Sequence, residues 1–148
     1  MLDLEVSAES SALLRAFEEI REGDRCRERV VLGEDAFAAF LRVSGDAAPV
    51  HTSRERAREM GYPDRILPGL LASLRFSRLL GMYLPGPHAV IHTARFEFRA
   101  AVLLDSEIDY SVIVSRLIEP MRAVVLDLVA RCGPEVVIRG TAQCVMKR

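Results

Sequence analysis

Within Ser44-Gly45-Asp46-Ala47-Ala48-Pro49-Val50-His51, an aspartate and a histidine stand five residues apart. A carboxylate and an imidazole together can take up and return a proton near neutral pH. Pro49 fixes its own φ and biases Ala48 toward an extended conformation, so the segment reads as a stiff connection that can aim both side chains at one reacting atom. D-x-x-x-x-H by itself also has a structural reading. An aspartate after a helix-ending glycine commonly caps the next helix, and a lone histidine commonly serves the core.

A second chemical element lies at Ile66-Leu67-Pro68-Gly69-Leu70-Leu71. Pro68-Gly69 opens the most helical stretch of the chain. A helix start presents free backbone N–H groups and partial positive charge. Glycine there lets a substrate oxygen come close, which suits the stabilisation of a developing oxyanion. Proline and glycine are also common wherever helices begin.

Other candidates carry less. His88 and His92 are four apart, but Ala89-Val90-Ile91 between them reads as a strand entrance. Four strand residues span about 13 Å, too far for one metal. Arg54, Arg56 and Arg58 could attract a phosphate or an acidic partner, and equally form a solvated helix face. Cys26, Cys132 and Cys144 contain no C-x-x-C pair and read as reduced, partly buried thiols.

These groups must be positioned by the rest of the chain. Residues 1–15 read as a peripheral extension, and Arg27 to Leu32 as a short strand. Phe37, Phe40, Leu41 and Val43 have the helical period, ended by Ser44-Gly45. Thr52 and Glu55 have capping-box spacing, which predicts a short polar helix over 53–60. Gly69 to Tyr83 is apolar around most of its circumference, the mark of a buried helix. It also bears a stripe of small residues, Gly69, Ser73, Ser77 and Gly81. Beyond Pro85-Gly86-Pro87 the period becomes two. Phe96 and Phe98, then Ile108, Tyr110, Val112 and Val114, alternate with polar residues, and Met121 to Arg131 and Glu135 to Met146 add two more strands. Short connections imply antiparallel pairing. A helix apolar nearly all round, followed by a sheet, predicts an α+β fold in which the sheet wraps the helix.

Length and composition set the bounds. At 148 residues the chain fits one domain. Half of it is apolar, too much for a disordered chain. No run of about 18 apolar residues is present to span a membrane. The acidic first residues, Met-Leu-Asp-Leu-Glu-Val, lead us to expect a cytoplasmic protein. A net charge of −1 argues against a general grip on nucleic acid. The basic residues are 19 arginines and Lys147, and asparagine is absent, which fits a GC-rich coding sequence.

Taken in order, Ser44-Gly45-Asp46, Pro49 and His51, then Leu67-Pro68-Gly69-Leu70-Leu71-Ala72-Ser73-Leu74, Leu79-Leu80-Gly81 and Leu84-Pro85-Gly86 resemble the MaoC-like hydratase/dehydratase family. That family includes (R)-specific enoyl-CoA hydratases. The resemblance covers residues 17–148 and leaves 1–16 as an N-terminal extension. It implies the hotdog fold, a single long helix wrapped by an antiparallel sheet. It also implies reversible hydration of a trans-2-enoyl thioester, with no metal or redox cofactor and with a homodimer as the working unit. Asp46 and His51 match the catalytic pair. Gly69 matches the glycine whose N–H binds the thioester carbonyl, and Ser77 a serine that helps orient the catalytic side chains in some members. Two positions depart from the family: Ala48 stands where asparagine is usual, and Pro68 where histidine is usual. Three further readings stay open. One is dehydration of intermediates bound to an acyl carrier protein, one is a non-catalytic acyl-binding subunit, and one is a thioesterase.

Overall fold

A computed structural model describes residues 1–147. The strands are β1 (Asp3–Val6), β2 (Arg25–Val31), β3 (Ala89–Phe98), β4 (Glu107–Ile118), β5 (Ala123–Cys132) and β6 (Glu135–Met146), and the helices are α1 (Glu34–Ser44), α2 (Pro49–Thr52), α3 (Arg54–Glu59), α4 (Gly69–Ser73) and α5 (Arg75–Met82). The strands form one sheet in the order β1-β2-β4-β5-β6-β3. All neighbours pair antiparallel except β1 and β2.

The alternating pattern does the work expected of it. Ile108, Tyr110, Val112 and Val114 of β4 and Val124, Leu126, Leu128 and Ala130 of β5 are buried, and they face Phe76, Leu79 and Leu80 of α5. Each such side chain contributes roughly 2 kcal/mol by leaving water. The Phe76 ring meets Tyr110 edge-on at 5.2 Å between centroids and stacks on Phe96 at 5.8 Å. The buried Tyr110 hydroxyl donates to the Ala72 carbonyl at 2.7 Å, tying the sheet to the end of α4. The helix lies inside the curl of the sheet, the hotdog arrangement.

Three expectations change. The helix over 69–83 is two pieces with Leu74 between them. Leu74 keeps helical φ and ψ, but its N–H bonds Leu71 and its carbonyl takes Ser77, so the ladder tightens there by one residue. Nor is this helix covered on all sides: Leu70 is 62% and Leu74 52% exposed. The N-terminal segment is more than peripheral, because β1 extends the sheet by pairing parallel to β2. The sheet is therefore mixed. No helix among the described residues is long and apolar enough to cross a membrane.

A buried carboxylate holds this added strand. Asp24 is 0% exposed. Its Oδ1 accepts the Leu2 N–H at 2.7 Å, and its Oδ2 accepts the Arg21 N–H at 2.9 Å and the Arg15 guanidinium at 2.7 Å. Burial alone would raise this carboxyl, but the two N–H groups and Arg15 outweigh it and hold it below its ordinary value. A depressed carboxylate stabilises the fold above its unfolded pKa and loses that contribution as pH falls through the folded value. Asp24→Asn should therefore cost roughly 3 kcal/mol at neutral pH, since Arg15 loses its counter-charge. The difference from the parent should shrink below pH 4, as read from urea midpoints across pH.

Candidate active site

The segment that carries Asp46 and His51 is built by ordinary backbone rules. Gly45 takes the left-handed conformation at φ 71° and ends α1, its N–H bonding Leu41 at 2.9 Å. The Asp46 N–H then bonds the Ser44 hydroxyl at 3.1 Å, and the Ala48 N–H bonds Asp46 Oδ1 at 3.2 Å. This short loop holds the carboxylate against its own backbone. Pro49 opens α2, a single turn that carries His51 on a helix rather than a loop. The next helix is capped by Ser53, which accepts from the Arg56 N–H, while Thr52 donates back to Ala48. The capping-box reading was thus one residue off.

The imidazole has one defined orientation. His51 Nδ1 lies 2.8 Å from the Ile66 carbonyl. A carbonyl only accepts, so Nδ1 carries the proton and the neutral ring presents the Nε2 lone pair. Nε2 faces Asp46 Oδ2 at 3.9 Å. That gap is too long for a direct hydrogen bond and short enough for one water to span. The imidazole is 12% exposed and the carboxylate 42%, so the pair looks outward from a sheltered base.

The same connection leads to the helix start. The Ile66 N–H bonds Val50, the Leu67 N–H bonds the Val102 carbonyl at 2.7 Å, and Leu104 bonds back to Arg65 at 3.1 Å. Pro68 caps α4 and its carbonyl receives Ala72. Among the described residues the Gly69 N–H has no acceptor. A Cβ on Gly69 would lie 3.1 Å from the Phe98 ring, so glycine is what lets that ring close over the helix start. His51 and Gly69 line one cavity of about 440 Å³ with Tyr62, Phe98, Arg99 and Ile138.

Three of the four expected site residues thus converge: Asp46 on His51, and His51 with Gly69. Ser77 does not join them. It is exposed on α5 and lies outside the cavity lining, while Ser73 is buried and donates to the Leu70 carbonyl at 2.8 Å. The small-residue stripe is approached closely at Gly69 and faces open space at Gly81. Ala48 lacks an amide side chain, yet its backbone N–H is what holds Asp46. The arginines of α3 are engaged within the chain: Arg54 with Asp64, Arg56 with Glu59, and Arg58 with the Pro63 carbonyl. His92 lies in β3, and no group of metal-ligating side chains occurs among the described residues. The cysteines are free, and burial pushes the Cys26 thiol up to about 12 and Cys144 to about 11. Tyr62, Phe98 and Ile138 had no local signal, because connections and strand ends far apart in the chain bring them to the cavity. The tautomer is checkable: two-bond proton–nitrogen NMR on neutral His51 should show Nδ1 protonated, and an Nε2–H signature would remove the Ile66 contact.

The chain is similar to several known proteins. The family described as MaoC like domain matches residues 17–127. An (R)-specific enoyl-CoA hydratase of Rhodospirillum rubrum is 28% identical over 130 residues, covering 88% of this chain and 90% of the relative. A 3-hydroxybutyryl-CoA dehydratase of Methylorubrum extorquens is 35% identical over 103 residues, covering 70% of this chain and 66% of the relative. Among solved structures, an (R)-hydratase from A. caviae involved in PHA biosynthesis superposes with a TM-score of 0.84 at 25% identity, covering 88% of this chain and 99% of that one. With the MaoC like domain matched over residues 17–127 of a chain that folds as a sheet-wrapped helix, the chain belongs to the MaoC-like family.

Proposed function

We propose that the protein reversibly hydrates a trans-2-enoyl thioester to a (3R)-3-hydroxyacyl thioester. The observation that carries this reading is the placement of His51 Nε2 opposite Asp46 Oδ2, beside a helix start with a free N–H. Two acceptors 3.9 Å apart hold one water by both its hydrogens. The water oxygen adds to C3 of the enoyl group, the Asp46–His51 pair takes up its proton, and a proton returns from the pair to C2. Electrons pushed onto the thioester oxygen in between are stabilised by the Gly69 N–H and the positive end of α4. Such a donor, aimed where charge develops, is typically worth about 3–4 kcal/mol. The reaction is redox-neutral and transfers only water, so no redox cofactor enters it.

The chain works as a homodimer joined along β3. Among the described residues this strand ends the sheet on one side, pairing with β6 alone, and it bears the exposed Val90 and Ile91. A long edge strand with no second neighbour is an open template for another strand. Sedimentation should give about twice the chain mass of 16.5 kDa, and a monomer at micromolar concentration would overturn this assignment. The same chemistry on a carrier-protein thioester is the alternative. We favour the CoA ester, because the relatives matched over most of their length are named for CoA substrates.

Asp46→Asn and His51→Ala should each lower crotonyl-CoA hydration by at least about a hundredfold while leaving the fold intact. Undiminished turnover in both variants would remove the assigned roles. Release of free thiol in place of hydration would instead identify a thioesterase.

A further inference from the structure

The cavity that holds His51 and Gly69 changes character along its length. Leu67, Ala72, Val102 and Ile138 are buried and apolar. Phe98 and Arg99, in contrast, are about half exposed, and Tyr62 is half-buried. A thioester bound with its carbonyl at Gly69 has two dissimilar ends, a hydrocarbon acyl chain and a polar arm with amide groups. The hydrocarbon belongs against the buried wall, and the arm leaves past the exposed residues.

The polar groups of the lining can be sorted by what already occupies them. His51 Nδ1 is spent on Ile66. The Arg99 guanidinium sits on Glu97 at 3.0 Å. The Tyr62 hydroxyl has no hydrogen-bond partner among the described residues, although it belongs to a residue whose backbone is firmly held. Gly61 turns the chain at φ 91°, the Tyr62 N–H bonds the Ala57 carbonyl at 3.0 Å, and Pro63 follows. A phenol that lines the cavity from a rigid turn, with no partner for its O–H among the described residues, suits a ligand that is partly apolar and offers an acceptor.

We propose that Tyr62 is a substrate-binding residue whose hydroxyl donates to the amide carbonyl nearest the sulfur in the thioester arm. The inference rests on the enoyl thioester reading above and adds which end of the substrate passes Tyr62. It makes the enzyme sensitive to the arm's first amide rather than to the phosphates farther out.

Three crotonyl thioesters separate the possibilities: the CoA ester, the N-acetylcysteamine ester, which keeps only the first amide, and the propyl ester, which has none. Tyr62→Phe should lower kcat/KM about fivefold on the first two, through KM, and leave the propyl ester unchanged, as the loss of one neutral hydrogen bond would. Equal rates for parent and variant on all three would overturn the proposal. So would an equal loss on all three, which would place the hydroxyl at the acyl end or in the fold. An unchanged melting temperature and a kcat unaltered on the propyl ester separate a lost contact from a damaged structure. Should the parent enzyme hydrate none of the three, nor any longer-chain trans-2-enoyl-CoA, the hydratase reading itself fails, an outcome distinct from the others.

Discussion

Two residues in an extended connection hold the candidate site of this molecule together. Ile66 and Leu67 are stitched to the segment after β3, through the Leu67 N–H to Val102 and the return bond from Leu104 to Arg65. From this stitch the Ile66 carbonyl reaches His51, and the Ile66 N–H reaches Val50. Immediately after it the chain turns at Pro68 into α4. The Asp46–His51 pair and the Gly69 N–H are thus mounted on opposite ends of one short, doubly anchored piece of backbone. A site built this way keeps its parts in register through backbone groups. The backbone N–H of Ala48 and the carbonyl of Ile66 do the positioning.

The wrapped helix supplies the second requirement, a rigid platform. Phe76, Phe96 and Tyr110 lock α5 to β3 and β4, and the Tyr110 hydroxyl fixes the end of α4 through Ala72. At the opposite side, Glu28 of β2 is 3% exposed and is paired with both Arg75 and Arg78 of α5. Arg78 continues to the Tyr83 hydroxyl, which donates to the Ser10 carbonyl. Buried charge of this kind is costly unless fully paired, and removing one partner is more damaging than replacing all of them. The cluster fastens the N-terminal segment across the helix, so β1 and the residues after it are part of the folded unit's construction.

Reading the chain as a sequence reached the strands of β4, β5 and β6, the two helices around Asp46, and the helix inside the sheet. Each is marked by a local period that depends only on which residues must face apolar surroundings. The same local logic placed Asp46, His51 and Gly69 as candidates, because a helix-ending glycine, a proline and a helix start are all written within a few residues. It went astray where a local pattern has two tertiary outcomes. Leu70 and Leu74 continue an apolar stripe, yet face outward on the side of the helix that the sheet does not reach. Asp3 to Val6 is too short and too charged to announce a strand, yet the buried Asp24 carboxylate brings it beside β2.

Residue types and spacing therefore determined the periods, the breaks, and the presence of a carboxylate and an imidazole in one stiff segment. Tertiary structure decided the rest: the Nδ1 tautomer of His51, the 3.9 Å gap to Asp46, the exposure of Ser77, and the meeting of Tyr62, Phe98 and Ile138 in one cavity. The physical reason is range. Helical and strand periods are enforced by bonds and burial within a few residues, whereas a hydrogen bond from His51 to Ile66 or a ring closing over Gly69 exists only once distant segments have been brought together.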